Sequence, residues 1–390
     1  MKNLETLIQE LCPDGVEFVK LGDCCSFKRG TTITAKNAIP GDVPVLAGGQ
    51  KPAYYHNEAN RTGETIVVAG SGAYAGFVSY WTIPVFLSDS FSVEPDDRLV
   101  VKFVYYFLKN IQQKIFATKK GSGVPHVHGS SIEKFEIPLP PIEVQTEIVR
   151  ILDKFTSLEA ELEAELDCRK RQYEYYRDKL LSFDNVGGQE VEWKKMSEVF
   201  DMKNGYTPSK AKAEYWEGGT IPWFRMEDIR ENGRILSDSI QHITMVGVKK
   251  GKLFPANSFI LATTATIGEH ALVISDSLAN QQFTNLTVRK SLSDRLLIKF
   301  VFHYMFIVDE WCKKNINVSG FASVDMNKFK KLEFPIPSLE EQHRIVSILD
   351  RFESLTTSLQ SGLPAEITAR RQQYEHYRDK LLTFKRKGAV

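Results

Sequence analysis

The 390-residue sequence predicts an α+β protein in which two β-rich mixed domains are separated by two long α-helices. One observation is a charged helical segment that nearly repeats, QYEYYRDKLLSF at 172–183 and QYEHYRDKLLTF at 373–384. A second is the match of PPIEVQTEIVRILDKF, residues 140–155, with PSLEEQHRIVSILDRF, residues 337–352. A third is that each of the two remaining blocks contains a short apolar run with β-branched residues. The chain therefore reads as block, helix, block, helix, which is an internal repeat.

The repeat also sets the domain boundaries. VEFVKLGD at 16–23 matches VEWKKMSE at 191–198, so each block opens on an equivalent segment. A chain of this length exceeds one ordinary domain. The predicted segments are a first domain over 1–137, a first long helix over 138–186, a second domain over 187–334 and a second long helix over 335–390.

Each block contains a run typical of a buried strand, ETIVVAG at 64–70 and NSFILAT at 257–263. Both runs are rich in apolar and β-branched residues and are bounded by Gly, Ser or Thr. KFVYYFLKNIQQKIF at 102–116 has apolar residues at helical spacing and predicts a short helix. The blocks are therefore predicted to mix strands with a little helix.

The two long segments carry the clearest pattern, one apolar stripe at intervals of three and four residues. The first helix is predicted to begin near Ile142 and to run for about 40 residues, or roughly 60 Å. Pro364 is predicted to kink or interrupt the second helix. Because the stripes match, the simplest partner for each helix is the other. The stripe residues chosen as contacts are Leu152, Phe155, Leu158, Leu162, Leu166, Tyr173, Tyr176, Leu349, Phe352, Leu355, Leu359, Tyr374 and Tyr377.

The composition and the absence of several motifs exclude some classes of function. The net charge is +1, yet both blocks are mildly basic and residues 136–190 are acidic, which is compatible with polyanion contact by two blocks. No phosphate-binding GxxxxGK[ST] loop or metal-ligand cluster is evident, so no cofactor, metal or catalytic residue is assigned. Five cysteines without a paired spacing, no signal peptide and no apolar run of membrane-spanning length predict a cytoplasmic protein without membrane contact.

Two polar loops at equivalent places are the main candidates for DNA contact, because basic and amide side chains suit phosphates and base edges. The first, ATKKGSGVPHVHG, offers Lys119, Lys120, Ser122, His126 and His128. The second, CKKNINVSGFAS, offers Lys313, Lys314, Asn317 and Ser319. A plain solvated loop is at least as probable an interpretation for any one of these residues. Further candidates are Arg225, Thr263 and Thr264 for bases, and Lys28 and Lys203 for phosphates.

The order block, QTEIVRILDKF…RKRQYEYYRDKLLSF, block, QHRIVSILDRF…RRQQYEHYRDKLLTF resembles the specificity subunit of type I restriction–modification systems. NGYTPSKAKAEYWEGGTIPW at 204–223 resembles the entry into a target-recognition domain of that family. The resemblance covers essentially the whole chain, and the first block matches only in outline.

The resemblance implies two target-recognition domains that each read one half of a bipartite site in double-stranded DNA. It also implies that the long helices pack as an antiparallel coiled coil, a spacer with an internal pseudo-twofold relation. Two methylation subunits would dock on this subunit, and restriction subunits would join through them. S-adenosylmethionine, ATP and Mg²⁺ would belong to those partners, and this chain would have no enzymatic activity.

Two alternatives stay open. One is a self-contained DNA methyltransferase with a fused recognition domain, which the missing cofactor and catalytic motifs disfavour. The other is a purely structural coiled-coil adaptor, which does not explain why the blocks diverge while their helices stay alike.

Overall fold

The structure, a computed structural model, describes residues 4–121, 123–183, 191–317, 322–357 and 362–388. The chain forms two compact units. Unit 1 contains residues 1–164 and 365–390, and unit 2 contains residues 165–364. Each unit therefore combines one block with parts of both long helical segments.

Unit 1 begins with a short helix, and eight of the nine strands in its described residues precede its larger helices. Its strands are β1 (Glu17–Lys20), β2 (Cys25–Arg29), β3 (Val43–Leu46), β4 (Tyr54–His56), β5 (Thr65–Ala69), β6 (Val78–Trp81), β7 (Phe86–Leu87), β8 (Ser90–Pro95) and β9 (Glu136–Leu139). Its helices are α1 (Leu4–Leu11), α2 (Val101–Asn110), α3 (Gln112–Phe116), α4 (Gly129–Ile132) and the first part of α5 (Ile142–Leu181). The predicted helix over 102–116 is thus two helices that meet at Ile111.

The strands of unit 1 form an antiparallel sheet of order β2-β8-β5-β6 and a smaller sheet of order β4-β3-β7. In the smaller sheet β3 and β7 are parallel, so their carboxyl ends meet at one edge. Strand β5 is buried along its whole length, which confirms the buried strand predicted at 64–70. Its apolar side chains pack with the buried face of α2 in the core of the unit.

Unit 2 repeats this plan with additional short elements. Its strands are β10 (Glu192–Lys195), β11 (Phe200–Asn204), β12 (Ile221–Phe224), β13 (Ile235–Leu236), β14 (His242–Ile243), β15 (Ser258–Ala262), β16 (His270–Val273), β17 (Leu278–Ala279), β18 (Phe283–Val288), β19 (Ile316–Asn317), β20 (Ser323–Val324) and β21 (Glu333–Ile336). Its helices are α6 (Met196–Val199), α7 (Met226–Asn232), α8 (Ile298–Lys314), α9 (Met326–Phe329) and α10 (Leu339–Thr357), and α11 (Leu363–Leu381) begins at its end.

The two main sheets of unit 2 repeat the pairings of unit 1, and the larger one adds β13, which pairs in parallel with β16. The orders are β11-β18-β15-β16-β13 and β14-β12-β17, with β12 and β17 parallel. Strand β15 is fully buried, as predicted for 257–263. The opening ladders also agree in register, since Glu17 faces Leu139 in unit 1 and Glu192 faces Ile336 in unit 2. The internal repeat is therefore a repeat of structure as well as of sequence.

One buried glutamine fixes the start of each long helical segment against its block. Gln145 donates to the carbonyl oxygens of Pro140 and Arg98 at 2.8 and 2.9 Å and accepts from the Val100 amide at 2.8 Å. Gln342 makes the equivalent three bonds, to Pro337, Arg295 and Leu297, at 2.8–2.9 Å. Both glutamines are fully buried. Each satisfies backbone groups that burial would otherwise leave unpaired.

The structure confirms the predicted length of the first long helix and the predicted interruption of the second. Helix α5 begins at Ile142 and has 40 residues. The second helical segment is divided into α10, which ends at Thr357, and α11, which begins at Leu363 with Pro364 in its first turn. Proline is tolerated there because a first-turn amide has no helical acceptor. None of the helices in these described ranges has the length and apolarity that crossing a bilayer requires.

Inside unit 1, α5 packs against α11 in an antiparallel orientation. The Phe155 ring stacks on Tyr377 at 5.4 Å and lies 6.5 Å from Tyr374. Arg371, six residues before Tyr377, forms ion pairs with Glu159 and Glu163. As the residue number rises along α5, the number of its partner on α11 falls, so these two segments run in opposite directions.

Inside unit 2 the equivalent ring contact joins α5 to α10. The Tyr176 ring stacks on Phe352 at 5.8 Å with an interplanar angle of 23°, close to the 24° of the pair in unit 1. Of the stripe residues, Leu152 and Leu349 are fully buried, whereas Leu355, Tyr176 and Tyr377 keep 38–39% exposure. Leu158, Leu162, Leu166, Phe155, Tyr173, Phe352 and Tyr374 are half-buried, and Leu359 lies outside the described residues.

Candidate nucleic-acid interface

In unit 1, four loops meet at the ends of buried strands and form a surface that we call polar edge 1. Its described residues are 46–51, 70–76, 87–89, 117–121 and 123–128. Backbone hydrogen bonds connect the four loops in series. They run from the Ser88 amide to the Leu46 carbonyl at 2.9 Å, from the Gly70 amide to Asp89 at 2.9 Å, and from the Val127 amide to Gly70 at 3.0 Å. The polar loop predicted from sequence thus lies beside the glycine-rich turn that follows β5.

Glycine is required where this turn approaches its neighbours. Gly76 has a φ of +85°, and a Cβ there would lie 3.1 Å from both Ile115 and Val127. Its amide donates to the Ala69 carbonyl at 2.7 Å, which closes the turn. A glycine-rich loop of a β domain, rather than a nucleotide fingerprint, explains this segment.

Residues 117–121 pair with residues 123–128 in a small hairpin. Lys120 and His126 exchange two backbone hydrogen bonds of 2.9 and 2.8 Å. The rings of His126 and His128 are nearly parallel with centroids 6.4 Å apart. Lys119 donates to the Ala73 carbonyl at 3.1 Å and lies over the Phe116 ring, so its ammonium is partly engaged. Lys120 and His128 are exposed, and Ser122 lies outside the described residues.

Unit 2 builds the same surface, polar edge 2, from residues 224–228, 263–268, 279–282, 312–317 and 322–324. The Asn280 amide donates to Phe224 at 3.0 Å, the Thr263 amide to Gln282 at 2.9 Å, and the Val324 amide to Thr263 at 2.9 Å. These are the equivalents of the three bonds in polar edge 1. The frame is therefore the same in both units.

Three of the residues predicted for base contact fall on this edge, in different environments. Thr264 is half-buried and bridges to Ser323. Thr263 is 7% exposed, and its hydroxyl lies 3.1 Å from that of Thr284, so its geometry favours a role inside the sheet over a base contact. Arg225 follows β12, and its guanidinium lies over the Trp223 ring with 28% of the side chain exposed.

The second predicted loop closes through the short β19–β20 ladder, where Asn317 faces Ser323. Lys314 and Asn317 are exposed, and Lys313 is exposed but forms an ion pair of 2.6 Å with Glu310. Ser319 lies outside the described residues. The contact roles of these side chains remain predictions.

Lys28 and Lys203 occupy the same position of equivalent edge strands, because Lys28 faces Ser92 on β8 and Lys203 faces Asn285 on β18. Lys203 is exposed. Lys28 is 60% exposed and forms an ion pair with Glu94. Burial raises the pKa of Glu94, but hydrogen bonds from Lys28 and Ser92 outweigh it and hold that pKa below its ordinary value. To contact DNA, the Lys28 ammonium would therefore have to leave its ion pair with Glu94 and pair with a phosphate.

Sequence analysis missed an amide cluster at the centre of polar edge 2. Asn280, Gln281 and Gln282 follow β17, at the edge where the parallel strands β12 and β17 end. Thr207 donates to the Gln281 side-chain oxygen at 2.6 Å, and Asn280 pairs with Gln282 through both its side-chain atoms. Gln281 is exposed. The sequence shows three consecutive amide residues after Ala279, but it does not show the strand pairing that places them at this edge.

Chemically, the two edges present different functional groups on equivalent backbones. Polar edge 2 offers amides, hydroxyls and a guanidinium, and these pair with adenine and guanine edges in the major groove. Polar edge 1 offers Asp89, two imidazoles, three lysines, the exposed amide of Gln50 and the 47% exposed ring of Tyr74. The two surfaces have the same backbone frame but different side chains. They are therefore suited to binding two different ligands of the same chemical class.

Comparison with known proteins agrees with this duplication. The sequence profile of the family described as type I restriction modification DNA specificity domain matches residues 13–167 and again residues 189–369. The specificity subunit of the Escherichia coli type I restriction enzyme EcoR124I/EcoR124II is 34% identical over 420 aligned positions, covering 100% of this chain and 99% of that protein. The EcoprrI specificity subunit, also from Escherichia coli, is 53% identical over 217 residues, about half of each chain.

Solved structures give the same fold. The S subunit of a type I restriction–modification system from M. genitalium superimposes with a TM-score of 0.57 at 17% identity, covering 94% of this chain and 96% of the other. A chain from a study of complex assembly in a type I system reaches 0.61 at 18% identity, covering 94% and 97%. With both halves matched by the family profile, the chain belongs to the family of type I restriction–modification DNA specificity proteins.

Proposed function

We propose that this chain is the sequence-reading subunit of a type I restriction–modification complex, and that each unit reads one half of a bipartite site in duplex DNA. One observation carries the proposal. The two polar edges share their hydrogen-bonded frame, from the Ser88–Leu46 bond and its equivalent Asn280–Phe224 onward, while their side chains differ. Preserved frames with divergent side chains are expected where one docking geometry serves two different sequences.

The long helices would form the spacer between the two readers, as an antiparallel coiled coil. The opposed register of α5 and α11 in unit 1, and the equivalent stacked pairs Phe155–Tyr377 and Tyr176–Phe352, support this pairing. Within α5, LEAELEAEL at 158–166 repeats a four-residue unit of strong helix formers. Such a segment has little side-chain chemistry and is suited to set a length.

In this proposal the chain is not an enzyme. Two methylation subunits would dock on it, bind S-adenosylmethionine and flip the target adenine out of the duplex. Restriction subunits, with ATP and Mg²⁺, would join through them. A repeat with pseudo-twofold character lets two identical partners meet one chain. Partner surfaces would also supply part of the phosphate contact, which fits a net charge of only +1.

The test is methylation mapping. The chain is co-expressed with its methylation partner in a host without other adenine methylation, and modified adenines are located by single-molecule sequencing. We expect one motif with two specified parts and an unspecified gap between them. A motif with a single specified part would refute the division of labour between the units.

The purified chain alone is the control for the fused-methyltransferase alternative. Calorimetric titration with S-adenosylmethionine should give no binding heat without the partner and clear binding with it. Binding and methyl transfer by the chain alone would establish that alternative instead.

A further inference from the structure

A group of metal-ligating side chains lies in unit 2 where α8 packs on α10, away from polar edge 2. It consists of His303 on α8 and of Asp350 and Glu353, three residues apart on α10. One potential ligand atom from each lies within 4.8 Å of the others, which is the case for no other set of three such residues in the described ranges. All three are held on helices, so their positions are well defined.

His303 has the environment of a ligating imidazole. Its side chain is completely buried, and its Nε2 lies 2.8 Å from Asp350 Oδ1. The Nε2–H group donates to this carboxylate, so an ion bound at Nε2 would replace that proton. Nδ1 lies 3.4 Å from the Tyr173 hydroxyl, which can accept a hydrogen bond from Nδ1–H when Nε2 binds the ion. An imidazole whose second nitrogen is held by a polar group is the usual arrangement of metal-binding histidine.

The two carboxylates complete a set of one nitrogen and two oxygen donors. Lys299 lies 3.6 Å from Asp350, but both side chains are about 40% exposed, so this ion pair is weak and the lysine stem can move aside. Imidazole with carboxylates favours Zn²⁺, Co²⁺ or Ni²⁺, whereas Mg²⁺ and Ca²⁺ prefer oxygen alone. Bonds of about 2.0–2.2 Å require donor atoms about 3.4 Å apart, which small side-chain rotations provide.

Unit 1 supplies an internal comparison at the equivalent positions. There the set is Tyr106, Asp153 and Thr156, and it is closed by hydrogen bonds. The Tyr106 hydroxyl donates to Asp153 at 2.5 Å and lies 3.4 Å from the Thr156 hydroxyl, while Lys102 lies 2.8 Å from Asp153. The same helix junction thus exists once without a nitrogen ligand or second carboxylate and once with both.

We propose that His303, Asp350 and Glu353 bind one divalent transition-metal ion, of which Zn²⁺ is the most suitable. The ion joins α8 of the second block to α10, and a water molecule takes the remaining coordination position. Its role is structural, because the site lies at a helix junction and not on polar edge 2. Binding therefore stabilises unit 2 and leaves unit 1 unchanged.

The experiment titrates the full-length, untagged chain carrying Cys168→Ser, which removes the one cysteine that is exposed, with Co²⁺ and then Zn²⁺. We expect one Co²⁺ per chain, with visible d–d absorption, no thiolate charge-transfer band, and displacement by Zn²⁺. Zn²⁺ should raise the unfolding temperature of unit 2. Binding that is absent, or that shows thiolate bands, would overturn the proposal.

Two variants keep the proposal testable if a substitution perturbs folding. His303→Tyr with Glu353→Thr installs the residues of the unit 1 junction and should weaken Co²⁺ binding by at least about tenfold. The reciprocal variant, Tyr106→His with Thr156→Glu, should raise the stoichiometry from one ion to two. Unchanged binding in the first variant, with circular dichroism showing a native fold, would also overturn the assignment.

Discussion

At the scale of the residue, the two buried glutamines, Gln145 and Gln342, make the same hydrogen bonds in both halves of the repeat. We expect Gln145→Ala and Gln342→Ala each to lower the free energy of unfolding of their own unit by about 2–4 kcal/mol, because each leaves a buried amide and two carbonyls without their partner. Denaturant unfolding of each variant, followed by hydrogen exchange to separate the units, measures this. Gln113→Ala, at an exposed site on α3, is the control. Losses that differ by more than about 1.5 kcal/mol would contradict the equivalence of the two junctions.

The amide cluster of polar edge 2 gives a residue-scale prediction about specificity. Gln281→Ala with Gln282→Ala should weaken discrimination at one or two base pairs of one half-site by about 10–100-fold, since each lost bidentate contact is worth about 1–3 kcal/mol. The methylation motif of the variant complex reports this directly.

Gln50→Ala, in polar edge 1, is the matched control and should alter only the other half of the motif. If either variant changed both halves, the two edges would not be independent readers. A motif unchanged by the double variant would remove the amide cluster from the list of base contacts.

At the scale of the element, sequence patterns predicted the helices and strands that depend on neighbouring residues along the chain. The apolar stripe predicted α5, the prolines before it predicted a start near Ile142, and Pro364 predicted the break before α11. The buried runs predicted β5 and β15. Pairings between distant segments left no such trace, so the parallel contact of β12 with β17, which makes Asn280 an edge residue, was not predicted. His303 and Asp350 are likewise separated by 47 residues along the chain, and only the packing of α8 on α10 joins them.

The helix contacts make an element-scale prediction. Phe155→Ala and Phe352→Ala each remove a ring that stacks on a tyrosine of a neighbouring helix. Because both rings are half-buried, we expect each change to cost about 1–3 kcal/mol in its own unit. Lys154→Ala, an exposed neighbour on α5, should change stability by less than about 0.5 kcal/mol. If the phenylalanine variants matched this control, the ring pairs would contribute nothing to helix packing.

At the scale of the whole molecule, the proposed function assigns recognition of the bases to the polar edges and the distance between the half-sites to the long helices. The polar edges differ, while the starts of the two long helical segments are fixed by the same hydrogen bonds, those of Gln145 and Gln342. In such a design the bases of each half-site depend on loops, and the gap between half-sites depends on helix length. The two properties should therefore be changeable one at a time.

The test of that separation is to insert one more LEAE unit into α5 after Glu165. Four helical residues add about 6 Å, and each base pair adds about 3.4 Å to a duplex, so we expect both half-sequences to be kept and the gap to grow by one or two base pairs. Methylation mapping of the variant complex measures the gap. A matched insertion of Gly-Ser-Gly-Ser breaks the helix and should give weak methylation with no single defined gap. A gap that stayed constant after the LEAE insertion would refute the spacer, because helix length would then not set the separation of the readers.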